Sequence, residues 1–299
     1  MSREVISRER SPITITITNQ KGGTGKTTLT ALLAYGLLLK NRRVLLLDLD
    51  PQAHLSSTFL NIKEIEKVND GIIQLAGGQH FKIRKIDLGV EGSRGSIGLI
   101  PSGLNYIIAT FRGQIPSWHT FAVYTRIATE PAINKNYDYI ICDTPPELFP
   151  PTIWGLYAAD YIIIPSNLEE LSIAGVKLLL KEVIPEVIYT TKKDLRVLGI
   201  ALINVTRKYR QETLNKLEKK IIDYIKRELP RIVYERIYSK PLFNTVIHRY
   251  SELSDLVYTP RRWEIPLSRV ISKIKQLESE IKSFVDEVEE RISSFEGVA

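Results

Sequence analysis

Residues 20–28 read QKGGTGKTT, a run of glycine, lysine and threonine whose chemistry is that of holding phosphate. Glycines let the backbone wrap closely around an anion, successive N–H groups point inward, and a helix starting directly afterwards adds its positive end. In such a loop Lys26 reaches the β and γ phosphates of a nucleoside triphosphate and the Thr27 hydroxyl ligates Mg2+. Gly22, Gly23, Thr24, Gly25 and Thr28 complete the cradle. The general phosphate-loop pattern asks for glycine where this chain has Gln20, so the match to that pattern is incomplete. Acidic residues follow at the ends of apolar runs: Asp48 and Asp50 after residues 43–47, and Asp143 after residues 139–142. Phosphoryl transfer needs charge neutralised and a water placed more than it needs a covalent nucleophile, and carboxylates beside a phosphate loop suit both tasks.

Several elements must bring these residues together. The β-branched run 13–19 enters the glycine-rich turn, and residues 26–40 have the length and Leu/Ala content of a buried helix. Short apolar runs at 43–47, 97–101, 139–142, 161–165 and 197–205 read as further strands, with helical stretches between several of them. Apolar strands alternating with helices imply an α/β fold, a mostly parallel twisted sheet with helices on both faces, whose strand ends carry Asp48, Asp50 and Asp143 along one edge. A ligand belongs at that edge. Residues 61–95 are less periodic and read as a variable connection with a helix or two. Residues 267–295 repeat apolar side chains at helical, roughly heptad spacing, which suits packing on the body or on another helix. The expected division is a basic tail over 1–12, an ATPase domain of phosphate-loop type over 13–266 and a C-terminal helix over 267–299.

The run KGGTGKTT resembles the deviant Walker A motif of the ParA/MinD family, in which a second lysine, here Lys21, is the signature. RVLLLDLDPQ (43–52) resembles that family's segment after the first helix, IGLIPS (97–102) the strand that follows, and YDYIICDTPP (137–146) its Walker B strand and second switch. The resemblance covers residues 13–205. It implies a Mg2+-dependent ATPase in which Lys21 crosses the interface of an ATP-sandwiched homodimer and touches the phosphates held by the other subunit. It further implies that Asp50 positions the attacking water, while Asp48 and Asp143 help to hold Mg2+ and its waters. A strand-end aspartate also bonds local backbone, which is the other reading of Asp48. Asn204 aligns with the position where the family reads the adenine edge, although an Asn there equally caps a following helix. Thr144, Pro145 and Pro146 resemble the second switch, and the segment 238–253 is loosely similar to the one that closes over the adenine.

Composition narrows what such a switch serves. A hydrophobic share of 43% and a charged share of 25% are ordinary for a globular protein, and neither a signal core nor a membrane-spanning run is present, so a cytoplasmic protein is expected. The single cysteine, Cys142, leaves no disulfide framework and no paired thiols for the family's iron-sulfur members. Residues 268–299 carry seven acidic and five basic side chains, unlike a basic membrane-binding helix. The four histidines lack metal-ligand spacing and read as structural. Of the net charge of +7, most sits between Arg207 and Lys240, with eleven basic against five acidic residues. Arg207, Lys208, Arg210, Lys216, Lys219 and Lys220 form either a ridge that meets DNA phosphates without reading bases or an ordinary solvated face.

The expectation is therefore a DNA partition ATPase. ATP joins two subunits, the dimer binds nonspecific double-stranded DNA and lies on the nucleoid, and a ParB-like centromere-binding adaptor stimulates an otherwise slow hydrolysis. Alternatives are an ATPase of the same family that positions cargo or division sites on another surface, and an ATP-dependent small-molecule synthetase or kinase.

Overall fold

Alternating Ile and Thr over β1 (Ile13–Ile17) favours an extended chain, because β-branched side chains fit a pleated surface with little loss of freedom. The computed structural model describes residues 11–113, 121–167, 173–207, 211–251, 253 and 267–297. In it β1 is a central strand of an eight-stranded sheet. The others are β2 (Arg43–Asp48), β3 (Arg84–Ile86), β4 (Ser96–Ile100), β5 (Tyr139–Asp143), β6 (Tyr161–Ser166), β7 (Arg196–Val205) and β8 (Leu242–His248). Their order is β3-β4-β2-β5-β1-β6-β7-β8, with every pairing parallel except that of β3 to β4. β1 stands between β5 and β6, so the chain winds outward from it in both directions and a crevice forms beyond its C-terminal end.

Both faces are covered, which is why the inner strands are continuous apolar runs. Val44 and Leu46 point to one core with Ile15, Ile17 and the buried leucines of α1 (Lys26–Leu39), whereas Leu45 and Leu47 point to another with Ile140 and Trp154. α2 (His54–Phe59), α3 (Ile62–Glu66), α4 (Ile72–Ala76), α5 (Leu104–Phe111), α6 (Ala122–Thr129), α7 (Pro131–Asn134) and α8 (Pro150–Ala158) occupy the β2–β5 half. α9 (Ile173–Leu178) runs through one π-helical turn (Leu179–Val183) into α10 (Ile184–Thr191), and with α11 (Gln211–Glu228) and α12 (Arg231–Tyr234) it covers β6 and β7. Cys142 is wholly buried, and that burial pushes its thiol up to about 12, in keeping with a small hydrophobe.

Three elements differ from the sequence reading. The 61–95 connection holds not only α3 and α4 but β3, a three-residue antiparallel edge strand. Within the 238–253 segment, β8 extends the sheet beyond β7. The C-terminal helix is two pieces, α13 (Leu267–Ser272) and α14 (Lys275–Glu296). Its apolar stripe packs on the body: Leu277, Ile281, Phe284, Val288 and Ile292 are buried in the core that also holds α1 and Phe243 of β8.

Candidate nucleotide and metal site

The glycine loop leaves β1 at the sheet edge and turns into α1. Gly25 sits at φ +86°, a left-handed conformation, and a Cβ there would lie 2.9 Å from Ile203 Cγ2, so both dihedral and space require glycine. No side chain caps the helix that follows and no acidic residue of its own lies in its first turn, so its positive end is left for a ligand in the cavity. The buried Lys26 ammonium lies across the loop, donating to the carbonyls of Asn19 and Lys21 at 3.1 Å each. Desolvation pulls its pKa down, with Asp143, Asp50 and Glu147 pulling the other way. Lys21 is part of the loop wall: its amide donates to Asn19 Oδ1 at 3.2 Å.

Asp143 ends β5 directly across from the loop. Its Oδ2 accepts from Thr27 Oγ1 at 2.7 Å and its Oδ1 from Thr30 Oγ1 at 3.4 Å. Burial pushes this carboxyl up to about 7, opposed by the Thr27 hydrogen bond. Asp50 lies one turn beyond β2, its Oδ1 accepting from the Gln52 amide at 2.9 Å and its Oδ2 standing 3.2 Å from His54 Nδ1. Contact with Asp50 raises the His54 pKa. Thr144 is pinned by donating to the Ile17 carbonyl at 2.9 Å, and Thr152 Oγ1 donates to the Glu147 carbonyl at 2.6 Å, which folds the loop after Asp143 over the site.

Loop, aspartate and switch share one cavity of about 340 Å3, lined by residues 22–28, Asp50, Gln52, His54, Pro146, Glu147, Phe149, Ile203, Asn204, His248 and Leu253 among others. The expected cradle residues Gly22, Gly23, Thr24, Gly25, Lys26, Thr27 and Thr28 are all brought together, and Asn204, at φ +61°, lines the far side. Lys21 is not among the lining residues.

Asp48 takes the structural alternative. It is wholly buried, with Oδ1 accepting from the Asp50 amide at 3.1 Å and Oδ2 from the amide and hydroxyl of Ser56 at 2.7 and 2.6 Å. Both oxygens thus brace the turn that carries Asp50, and Asp48 does not line the cavity. Burial, then the charges of Asp143 and Asp50, hold its carboxyl well above the usual range. Asp143 is likewise wholly buried and not among the lining residues, but through its bond to Thr27, which does line the cavity, it offers a hydroxyl and carboxylate pair for a hard cation. Among the described residues no cluster of three or more His, Cys, Asp or Glu is disposed to hold a metal. That donor set suits Mg2+, which binds through one or two protein oxygens plus substrate phosphates and keeps several waters.

Two of the histidines that read as structural in the sequence line the cavity instead. His54 follows Asp50 at helical spacing, a signal readable once a helix is placed after Gln52. His248 has no such signal, since its partner Glu280 is 32 residues away. Of the basic group, Lys208 and Arg210 lie outside the described residues. Arg207 is exposed and stacks over Tyr250 at 5.6 Å from the ring centroid. Lys216, Lys219 and Lys220 stand on the exposed face of α11, with Lys216 paired to Glu212 at 2.6 Å. No helix among the described residues is long and apolar enough to cross a membrane.

Known proteins share this chain's sequence family and fold. The AAA_31 family, an AAA domain, matches residues 13–197. The sporulation initiation inhibitor protein Soj of Bacillus subtilis is 32% identical over 216 residues, 68% of this chain and 81% of that protein. Among solved structures, pNOB8 ParA bound to nonspecific DNA superposes with a TM-score of 0.78 at 24% identity, over 95% of this chain and 99% of that one. Cobyrinic acid a,c-diamide synthase of Mycobacterium smegmatis, with bound ATP analog and magnesium, superposes at 0.63 with 25% identity, over 85% and 96%.

Proposed function

The chain belongs to the AAA_31 family of ParA/MinD-like partition ATPases, and from that premise we propose that it is an ATP-driven DNA partition switch. The observation that carries the reading is the cavity lined by the glycine loop, Thr27 among it, and by Asp50, with Asp143 buried behind it as the acceptor of the Thr27 hydroxyl. In this reading the loop amides and Lys26 bind the triphosphate, and Lys26 exchanges its carbonyl partners Asn19 and Lys21 for phosphate oxygens. Thr27 and Asp143 hold Mg2+, which neutralises phosphate charge when bound. Asp50, fixed by the Gln52 amide and by His54, orients the attacking water. Asp48 acts one step back, by holding the Asp50 turn.

Lys21, on the rim of the loop, reaches the phosphates of a second subunit, so that ATP and not ADP joins the dimer. Pairing doubles the exposed basic surface of Arg207, Lys216, Lys219 and Lys220. Two such ridges bind nonspecific DNA far better than one. A ParB-like adaptor then stimulates hydrolysis, which is slow without it, and the dimer leaves the DNA.

The test is DNA binding by the Asp50→Ala protein with ATP, with ADP and without nucleotide, on two unrelated duplexes across a salt series. Tight, salt-sensitive and sequence-indifferent binding with ATP alone is expected. Absence of binding in every state sinks the DNA assignment.

A further inference from the structure

Another cavity, of about 650 Å3, opens at the opposite end of the sheet. β7 runs from one to the other: Arg196, its first residue, lines this cavity, while Ile203 and Asn204, near its last, line the nucleotide cavity. A strand advances about 3.3 Å per residue, so Ile203 stands about 23 Å from Arg196 and a small molecule in one cavity does not touch one in the other. The walls come from the end of α11, the end of α14, the link from α12 to β8 and the start of β7.

Ile225 of α11 and Ile237 of the link are buried and give the cavity an apolar side. Beside them the half-buried rings of Tyr238 and Phe295 meet edge to face with centroids 5.9 Å apart, and the Arg196 guanidinium lies over the Phe295 ring at 5.3 Å. An aromatic corner next to aliphatic side chains holds an apolar body, and the volume is that of small-molecule sites.

The charge around this body is answered except at one point. Glu235 of the lining is paired with Arg231, and Arg196 with Asp194, each at 2.5 Å. Lys226 lines the cavity and is exposed, and its ammonium has no hydrogen-bonding or ionic partner among the described residues. It belongs to the part of the 207–240 basic stretch that the DNA ridge leaves out, with Arg227, Arg231, Arg236 and Lys240. A free ammonium beside an apolar cavity matches an acceptor-only group, and a carboxylate is the organic group of that kind.

We propose that this cavity is a second ligand site, for a small organic acid whose aromatic body packs against Tyr238, Phe295 and Ile225 and whose carboxylate meets Lys226. The site is independent of the nucleotide reading.

The experiment titrates the full chain with 1-anilinonaphthalene-8-sulfonate, a fluorescent aromatic anion, and displaces it with 4-phenylbutyrate or with 4-phenylbutylamine, which carries the same body on a cation. One dye per chain is expected, bound equally with and without ATP and Mg2+. The carboxylate should displace it at about tenfold lower concentration than the amine, the difference made by one charge-assisted hydrogen bond. Lys226→Glu, at an exposed position, should remove that preference. Ser294→Trp, also at an exposed position of the lining, fills the cavity and should remove binding of the dye and of both competitors. Should that variant fail to fold by circular dichroism, Ser239→Trp fills the cavity from the link instead. Absence of dye binding, displacement of the dye by ATP, equal displacement by carboxylate and amine, or binding that survives the tryptophan in full overturns the proposal. None of these results bears against the nucleotide reading.

Discussion

Two places in this molecule bury charge, and they are built on opposite plans. On α14, Arg291 is wholly buried and both of its terminal nitrogens are answered: Nη1 donates to the carbonyls of Leu198 and Lys240 at 2.6 and 2.9 Å, and Nη2 to Leu242 O at 2.8 Å and Glu287 Oε1 at 2.6 Å. Glu287 in turn accepts from the amides of Asn244 and Thr245 at 2.8 and 3.0 Å, so one ion pair ties the C-terminal helix to the edge strand β8 and to β7. Gly199 makes room for it, since a Cβ there would stand 2.5 Å from Arg291 Nη1 and its φ of +142° is one that side chains rarely adopt. At the ends of β2 and β5, Asp48 and Asp143 face each other in register with Asp50 close by, like charge against like. The lysine beside them, Lys26, is turned to loop carbonyls. Paired opposite charge closes a fold. Gathered like charge is tolerated where a cation and a phosphate are to arrive.

The comparison breaks most visibly at Arg291. Arg291→Ala leaves Glu287 buried without its partner and should cost about 3–5 kcal/mol of stability, measured by urea denaturation. If the loss is under about 1 kcal/mol, the pair does not hold α14 in place. The acidic cluster should respond in the opposite direction. Asp143 has a folded pKa of about 7 against 3.8 for a free side chain, so the folded state binds the extra proton between those values. Stability of the nucleotide-free protein therefore falls as pH rises from 3.8 to about 7, and Asp48, shifted the same way, steepens the fall. Asp143→Asn should stabilise the nucleotide-free protein by about 4 kcal/mol at pH 8, with no gain at pH 4. The same substitution should remove the stabilisation that Mg2+ and ATP confer on the unaltered protein. A loss of stability at pH 8 would mean that the carboxylate is as well satisfied as Arg291.

The same contrast marks what the sequence made legible. Residues 20–28 are contiguous, so their chemistry could be read directly, and the parallel strands showed as unbroken apolar runs because both sheet faces are covered. Asp48 and Asp50 look alike in DLD, but the first is the last residue of the strand and turns inward to Ser56, while the second begins the turn and faces the cavity. Sequence alone does not say which side of that boundary a carboxylate falls. β3 is three residues long, and β8 carries Asn244 and Thr245 mid-strand, tolerated because Glu287, 43 and 42 residues away, accepts their amides. His248 owes its place to Glu280 in the same fashion. What long-range packing assembles leaves no spacing to find.

The smallest effect on stability is expected where charge stays in water. Lys219 and Lys220 stand exposed on α11, and that helix is held by Ile221, Tyr224 and Ile225 on its other side. Lys219→Glu with Lys220→Glu should therefore move the unfolding free energy by no more than about 0.5 kcal/mol. DNA binding is the readout that separates a ridge from a solvated face. Each DNA phosphate left without its lysine should lower the slope of log affinity against log salt by about 0.9, so the double variant should bind more weakly and respond less to salt. An unchanged slope with unchanged stability would make these lysines a solvated face and move the DNA surface to the neighbourhood of Arg207. A stability loss as large as that expected for Arg291→Ala would place the two lysines among the charges that hold the fold, and the distinction between buried pairs and surface charge would fail at this helix.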